Sequence, residues 1–326
     1  MISRFKPRSA LIALSFFVCS TAFAANTAHE WLMKINHAAH NLEYEGIFVY
    51  QHDDQLEAMH IFHKVDHDTN SVQERLISLN GAPREIIRDA NEVRCYWPDK
   101  NSVVVEYRKA DSKGFPAILP ENVKGLDEYY AVRMGDVERI TGRPAQLVII
   151  NPLDQYRYGY HLWADKGTGL LLKADLVDSR GDVLEQFMFT QITIGKKIPA
   201  SALAPGMSDK DMVWYRENDE AQDASEKPGW EATNLPQGFR LSMHVKRHMP
   251  MRKQPVEHLV YTDGLAAVSV FIEKQDKGAK PFMLGPSRMG ALHAMGVRVD
   301  DYQITAVGEV PAQTVAIIGG SVAPAK

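Results

Sequence analysis

The sequence predicts a mainly β protein with a few helices, built as one large curved sheet followed by a smaller β-rich domain. Three observations predict it. The chain has 326 residues, 45% hydrophobic and 24% charged, which is typical of a globular protein long enough for two domains. Short stretches rich in β-branched and aromatic residues recur between turn-forming sequences. An acidic run from 209 to 226 divides these stretches into two groups.

The first 24 residues have the features of a secretory signal peptide. Three cations precede an apolar run from 10 to 18 that is too short to span a bilayer. Ala22-Phe23-Ala24 matches the small-x-small pattern at which signal peptidase cleaves. We expect a mature chain from residue 25, outside the cytoplasm, whose formal charge falls from −4 to −7 with the loss of the three cations. Cys19 leaves a lipoprotein anchor as a less favoured alternative, because β-branched Val18 precedes it.

The first domain is predicted over 25–205 and begins with a helix. Thr27 and Glu30 form a capping box, and apolar residues at helical spacing predict an amphipathic helix over 28–42. The apolar face of this helix is expected to pack against a sheet. Strands of that sheet, an open half-barrel, are predicted at 44–51, 57–65, 72–79, 84–89, 92–97, 103–108, 139–140, 145–150, 156–164, 170–178 and 183–192. Large residues at helical spacing predict one more short helix over 126–133.

The second domain is predicted over 230–320, after an acidic connector at 206–229. Seven acids and only two cations lie between 209 and 226. Strands are predicted at 240–245, 257–261, 266–273 and 303–307, with a short helix at 287–294. From Trp230 onward the chain has 11 cations and 8 anions, a net charge of +3, so the rest of the mature chain carries −10. Opposite charges favour contact between the two halves.

Motifs for catalysis, cofactors and metals are missing from the sequence. It lacks HExxH, Walker, GxSxG and CxxC patterns, so we expect no catalytic residue, no cofactor and no metal. His60 and His63 lie on opposite faces of a predicted strand and cannot chelate an ion together without a bulge. A negative net charge argues against nucleic acid as a partner. A hydrolase built from distant acid and base residues is the least favoured alternative.

A cationic cluster in the second domain is the candidate partner-binding surface. Its members are Lys246, Arg247, Arg252 and Lys253. Such a run is often only a solvated loop. The functional alternative is a surface for an acidic partner segment or for lipid phosphates, because arginine can bind two carboxylate or phosphate oxygens at once.

Five residues are candidates for a lipid groove: Met59, Phe62, Tyr156, Tyr158 and Tyr160. The tyrosines alternate along a predicted strand, so their rings are expected on one face. Ordinary aromatic packing explains them as well as contact with an acyl chain does. A sheet that curls without closing has an apolar hollow that either fills with side chains or binds an apolar ligand. The sequence leaves that choice open.

Nine short segments, in order over nearly the whole mature chain, carry a family resemblance. They are YEGIFVY (44–50), GRP (142–144), NPLDQYRYGYHLW (151–163), TGL (168–170), LEQF (184–187), LPQGF (235–239), YTDGLA (261–266), VSVF (268–271) and VGEVP (307–311). Through them the chain resembles the RseB/MucB family, the periplasmic regulators of the sigma-E envelope stress response.

The resemblance implies both a fold and a function. The fold is a LolA-like N-terminal domain, an unclosed barrel with helices in its concavity, joined to a smaller β domain. The function is negative regulation in the periplasm: binding the periplasmic part of a membrane-spanning anti-sigma factor (RseA or MucA) and protecting it from proteolysis. Lipopolysaccharide or lipoprotein acyl chains, sensed by the half-barrel, would promote release. The alternative is a LolA-like lipid or lipoprotein carrier, and homodimer formation is left open.

Overall fold

A computed structural model describes residues 20–66, 68–69, 71–107, 119, 123, 125–216, 227–247, 254–276 and 283–325. The helices are α1 (Ser20–Asn41) and α2 (Ala312–Gly320). The strands are β1 (Tyr44–His52), β2 (Gln55–Asp66), β3 (Ser71–Ser78), β4 (Glu85–Arg88), β5 (Glu92–Trp97), β6 (Ser102–Tyr107), β7 (Tyr130–Ile140), β8 (Arg143–Pro152), β9 (Gly159–Asp165), β10 (Leu171–Val177), β11 (Val183–Ile194), β12 (Val213–Arg216), β13 (Trp230–Ala232), β14 (Arg240–Arg247), β15 (Val256–Thr262), β16 (Ala267–Lys274), β17 (Gly285–Met289), β18 (Leu292–Val299), β19 (Tyr302–Gly308) and β20 (Val322–Pro324).

The large domain is one twelve-stranded sheet. Its order is β12-β6-β5-β4-β3-β2-β1-β11-β10-β9-β8-β7, so β12 and β7 are separate edges and the sheet is unclosed. Along β2, buried Met59, Ile61, His63 and Val65 alternate with more exposed residues, the period expected when one face of a strand covers a core. The prediction of a mainly β protein with an unclosed sheet is confirmed.

Helix α1 packs against one face of this sheet. Leu32, Ile35 and Ala38 recur at helical spacing, are almost fully buried, and belong to the main apolar cluster of the domain. The helix contacts β7, β8 and β10. It begins at Ser20, earlier than the predicted 28, and residues 1–19 of the predicted signal peptide lie outside the described residues. No helix among the described residues is both long and apolar enough to cross a membrane.

The predicted helix over 126–133 is wrong. A single 3-10 turn at Leu126–Glu128 precedes β7, which already begins at Tyr130. The helical spacing came from two different elements. The apolar residue of the turn is buried, and Tyr130, Val132 and Met134 then alternate onto the core face of the strand. Pairing with β8 stabilises this strand along most of its length.

The predicted helix over 287–294 is also wrong, because this segment forms the β17–β18 hairpin. Gly290 turns the chain with a φ of +60°, and β18 pairs with β19 from His293 to Val299. Pairing across the sheet outweighs the helix propensity of the Met, Ala and Leu residues here. Helix α2, by contrast, was not predicted.

Two further elements differ from the expectation. The strand predicted at 156–164 begins only at Gly159, because Oδ1 of Asp154 accepts the Tyr156 N–H at 2.9 Å and holds the chain in a turn. Val213–Arg216, within the predicted connector, forms β12 and pairs in parallel with β6 at the edge of the large sheet.

The small domain is a six-stranded sheet covered by α2. Its order is β14-β15-β16-β19-β18-β17, and a short β13–β20 pair lies beside it. Val315 and Ile318 of α2 pack into the same apolar cluster as Leu259, Val270 and Ile304 of the sheet. Burial of these apolar side chains stabilises the small domain. No disulfide within this domain contributes, because the sequence has no cysteine after Trp230.

The buried His63 predicts that stability falls in mild acid. It stacks on Tyr44 at 4.5 Å, donates from Nδ1 to the Leu42 carbonyl at 2.9 Å, and is 1% exposed. Burial lowers the pKa of His63, and the nearby carboxylate of Glu74 only partly offsets this. The unfolded chain, with a histidine pKa of about 6.5, therefore binds the proton first as pH falls. The stability that neutral His63 contributes to the fold is therefore complete at a pH above the histidine pKa of the unfolded chain, and it is lost as the pH falls below that value.

We therefore expect His63→Phe, which keeps the ring stack, to reduce the fall in unfolding free energy between about pH 7 and pH 5. Urea unfolding at several pH values measures it. His60→Phe is the matched control, because His60 lies on the opposite face of β2 beside Glu45 and is half-buried. Equal pH dependence in the wild type and His63→Phe would contradict the assignment.

Candidate functional site at the domain interface

The two domains meet through a fully buried ion pair. Nη1 of Arg157, in the loop before β9, lies 2.5 Å from Oδ2 of Asp263 in the β15–β16 turn, and neither side chain is exposed. Tyr130 donates its hydroxyl to the same oxygen at 2.8 Å. The other oxygen, Oδ1, accepts the N–H groups of Leu265 and Ala266, each at 2.8 Å. One carboxylate thus holds its own turn and the opposite domain together.

Further contacts fix the guanidinium of Arg157. Asp154 accepts from Nε and Nη2 at 3.0 and 2.8 Å, and the Gln237 carbonyl accepts from Nη2 at 2.6 Å. Three rings lie within cation–π distance of its Cζ atom: Tyr129 at 4.9 Å, Phe239 at 5.3 Å and Tyr130 at 5.5 Å. Burial opposes the charge of Arg157, but the Asp154 bonds and the Asp263 charge outweigh it and raise its pKa. Burial, together with Asp263, also raises the pKa of Tyr130.

The tip of the β15–β16 turn enters the core of the large domain. Leu265 is 8% exposed and belongs to the main apolar cluster of that domain. Gly264 has a φ of +107°, a backbone conformation that glycine adopts in tight turns and that other residues rarely adopt. The chain's own residues contribute the rest of this filling, namely Leu32, Ile35, Ala38, Leu119, Val123 and Leu126. These described side chains of the protein itself therefore pack in the apolar hollow of the sheet.

A second contact joins the β17–β18 turn to the large domain. The Gly290 N–H donates to Oδ2 of Asp53 at 2.7 Å, and the Ala291 N–H donates to Oε1 of Glu185 at 3.1 Å. Tyr50 donates its hydroxyl to the other oxygen of Glu185. Backbone N–H groups of one domain thus bind carboxylates of the other, and hydrogen bonds to charged acceptors are the stronger kind.

A third contact comes from the start of α2. Oγ1 of Thr314 donates to the Tyr156 carbonyl at 2.7 Å, and Nε2 of Gln313 donates to the Gln155 carbonyl at 2.6 Å. Two turns and one helix of the small domain therefore hold the loop before β9 and the adjoining strands. The three contacts define one docked arrangement of the two domains.

A cleft of about 320 Å³ opens beside the second contact. Its polar lining includes Gln51, Asp53, Glu185, Gln186 and Arg288. Pockets for apolar ligands are lined mainly by apolar side chains. This cleft therefore does not suit an acyl chain.

The five predicted lipid-groove residues do not form one groove. Met59 lies on the buried face of β2, whereas Phe62 lies on the opposite face, three residues along the strand. The expectation that the three tyrosines share a strand face is wrong, because only Tyr160 lies in a strand. Tyr158 packs against Leu176 and Ala291 of the second contact, and Tyr156 offers its carbonyl to the third.

The predicted partner-binding cluster is only partly described. Lys246 lies on β14, the backbone of Arg247 ends that strand, and Arg252 and Lys253 lie outside the described residues. Lys246 contributes to a pocket of about 250 Å³ in the small domain. We call it the lysine-rimmed pocket, and its main lining residues are Trp230, Ile272, Tyr302, Lys246, Lys274 and Glu257.

Within the described part of the chain, no group of three or more His, Cys, Asp or Glu residues is arranged to hold a metal ion. His60 and His63 do lie on opposite faces of β2, as predicted.

Sequence reasoning missed the residues that join the domains. Arg157 and Asp263 both lie in segments that carry the family resemblance, but their separation of 106 positions along the chain hides the contact. The available signal was the arginine itself, flanked by tyrosines and three residues after an aspartate. Arginine is rarely buried unless it is paired, so such a setting suggests a buried partner.

The fold and this interface define a two-domain protein in which a small β domain is docked on a large unclosed sheet. A family model described as the MucB/RseB N-terminal domain matches residues 27–207, and one described as the MucB/RseB C-terminal domain matches residues 224–323. The chain belongs to the MucB/RseB family.

Curated relatives match almost the whole chain. The sigma factor AlgU regulatory protein MucB of Pseudomonas aeruginosa is 32% identical over 97% of both chains. The sigma-E factor regulatory protein RseB of Salmonella typhimurium is 28% identical over 96% of this chain and 95% of its own. These relatives are named as regulators of sigma factors, which confirms the prediction of a regulatory protein rather than an enzyme.

Solved structures match both domains together. The Pseudomonas aeruginosa MucA/MucB complex contains a chain that is 31% identical, with a TM-score of 0.71, over 92% of this chain and 99% of its own. MucB in complex with MucA(peri) gives 30% identity and a TM-score of 0.69 over the same shares.

Proposed function

We propose that this protein is a periplasmic negative regulator of a sigma-E-type stress response. It binds the periplasmic part of a membrane-spanning anti-sigma factor and protects that part from proteolysis. The observation that carries the proposal is the likeness of both domains to MucB as it occurs in complexes with MucA. The signal-peptide features and the regulatory names of the relatives support the location and the role.

Lipid sensing is the second part of the proposal. The hollow of the unclosed sheet is apolar but occupied by α1, by Leu119, Val123 and Leu126, and by Leu265. We propose that an acyl chain of lipopolysaccharide or of a lipoprotein enters by displacing one of these. A ligand shifts an equilibrium only through its different affinities for the two states. We propose that acyl chains favour a form in which Leu265 has left the hollow, and that this form releases the anti-sigma factor.

A simple lipid or lipoprotein carrier is the alternative function. A carrier needs an accessible apolar cavity, whereas here the small domain inserts a leucine into the hollow and holds it with a buried ion pair. The docked small domain favours regulation, because it couples the hollow to a second surface.

Binding and protection are tested together. We expect immobilised mature protein, residues 25–326, to retain the periplasmic segment of the cognate anti-sigma factor and to slow its digestion by an added protease. Lipopolysaccharide micelles should release the segment, and a scrambled segment of equal composition is the control. No retention of the natural segment would refute the proposed function. Retention without release by lipopolysaccharide would refute only its lipid-sensing part.

A further inference from the structure

We propose that the lysine-rimmed pocket docks one large apolar side chain of an extended acidic segment of a protein partner. This inference rests on the proposed function and deepens it, because it assigns a contact subsite for the anti-sigma factor. The pocket lies in the small domain, away from the filled hollow and from all three contacts between the domains.

The sheet register brings the lining residues to one face. Lys246 of β14 lies opposite Glu257 of β15, which lies opposite Ile272 of β16, and directly opposed residues share a face. Lys274 follows Ile272 by two residues and lies opposite Tyr302 of β19. The pocket is therefore a continuation of the core face of the small sheet.

The floor of the pocket is apolar and aromatic. Trp230 and Tyr302 pack with their ring centroids 4.9 Å apart, and Ile272 is 2% exposed. At about 250 Å³ the pocket is smaller than the roughly 300–1,000 Å³ typical of small-molecule sites. It suits a single large side chain rather than a lipid or a cofactor.

Charges at two depths determine which group enters. Glu257 is 8% exposed, its Oε1 accepts the Gly229 N–H at 2.7 Å, and Nε2 of His244 lies 3.0 Å from the same oxygen. A carboxylate that entered the pocket would meet this buried acid. Lys246 is half-buried and Lys274 is exposed at this pocket, and the positive charge of both favours nearby carboxylates. The entering group is therefore apolar, and acids precede or follow it in the partner.

The neighbouring sheet edge suits an extended partner. β14 is the last strand of its sheet, and among the described residues no other strand pairs with its outer edge. An added peptide strand can hydrogen-bond to such an edge while alternate side chains reach pockets on one face. Lys246 lies on this strand, so a segment paired there runs along the Lys246 side of the pocket, whose floor lies further into the sheet on β16 and β19. The net charge of +3 after Trp230 favours an acidic segment.

Charge reversal at the rim is the direct test. We expect Lys246→Glu with Lys274→Glu to weaken binding of the cognate anti-sigma periplasmic segment by about tenfold or more, because like charges would then meet at the contact. Arg298→Glu is the matched control, because Arg298 is an exposed cation on β18 of the same domain. Isothermal titration gives the dissociation constants, and thermal unfolding checks that each variant is folded.

The pocket floor is tested separately. We expect Tyr302→Ala to weaken the same binding roughly tenfold and Tyr302→Phe, which keeps the ring, to leave it unchanged. Wild-type protein that binds no segment refutes the proposed function itself. If the wild type binds the segment and the Lys246→Glu, Lys274→Glu variant binds it equally well, only this inference is refuted. If that variant loses binding to lipopolysaccharide but keeps its binding to the segment, the pocket is a site for lipid phosphates, and the inference is equally overturned.

Discussion

Asp263→Asn is expected to lower the free energy of unfolding by about 3–5 kcal/mol, the usual cost of leaving a buried ionic partner unpaired. The substitution preserves volume, and Oδ1 of the new side chain can still accept the N–H groups of Leu265 and Ala266 that shape the turn. On the other side, an amide NH₂ would replace Oδ2 and face two donors, Arg157 and Tyr130. The loss of unfolding free energy therefore comes from the contact between the domains and not from the turn itself.

Two comparisons isolate this effect in urea unfolding. Asp182→Asn is the matched control, because Asp182 pairs with Arg180 in an exposed loop, where such pairs contribute about 0–1 kcal/mol. Asp263→Asn combined with Arg157→Met removes both charges and is expected to recover part of the loss, since an apolar pair can replace a buried ion pair. An Asp263→Asn protein within about 1 kcal/mol of wild type would show that the pair does not hold the domains together.

The strands could be predicted because their signals are local. Alternation along β2 and turn residues such as Gly181, with a φ of +86°, are visible in a few consecutive residues. The errors occurred where local signals conflicted with pairing. The segments at 126–133 and 287–294 have helical spacing or helix-forming residues, but each pairs with a neighbouring strand that a local pattern does not reveal.

The site was harder to predict because its parts are distant in sequence. Alternation of Tyr156, Tyr158 and Tyr160 predicts that their rings share one strand face. Asp154 instead holds the chain in a turn, and this turn directs the Arg157 side chain to the interface between the domains. The cationic cluster was visible in the sequence, whereas the aromatic floor beside Lys246 needs Trp230 and Tyr302 from opposite ends of the domain. Composition indicates charge, but only the fold brings such residues together.

A disulfide between the domains is expected to abolish release of the anti-sigma factor by lipid. The Cβ atom of a side chain at Gly290 would lie 3.6 Å from Cβ of His52, within the separation that disulfides require. The pair is His52→Cys with Gly290→Cys, in a Cys95→Ser background that prevents mispairing. Gly290 has a φ of +60°, which costs a cysteine roughly 1–2 kcal/mol but does not exclude it.

The oxidised protein keeps the β17–β18 turn against β1, so the small domain cannot move away and Leu265 stays in the hollow. We expect lipopolysaccharide to release the bound anti-sigma segment from the reduced variant as from wild type, and not from the oxidised one. Each single-cysteine variant, treated with the same oxidant, is the control. Release from the oxidised protein would mean that acyl chains enter without separation of the domains. In that case α1 or the side chains of Leu119, Val123 and Leu126, rather than the Leu265 turn, would be the part that moves.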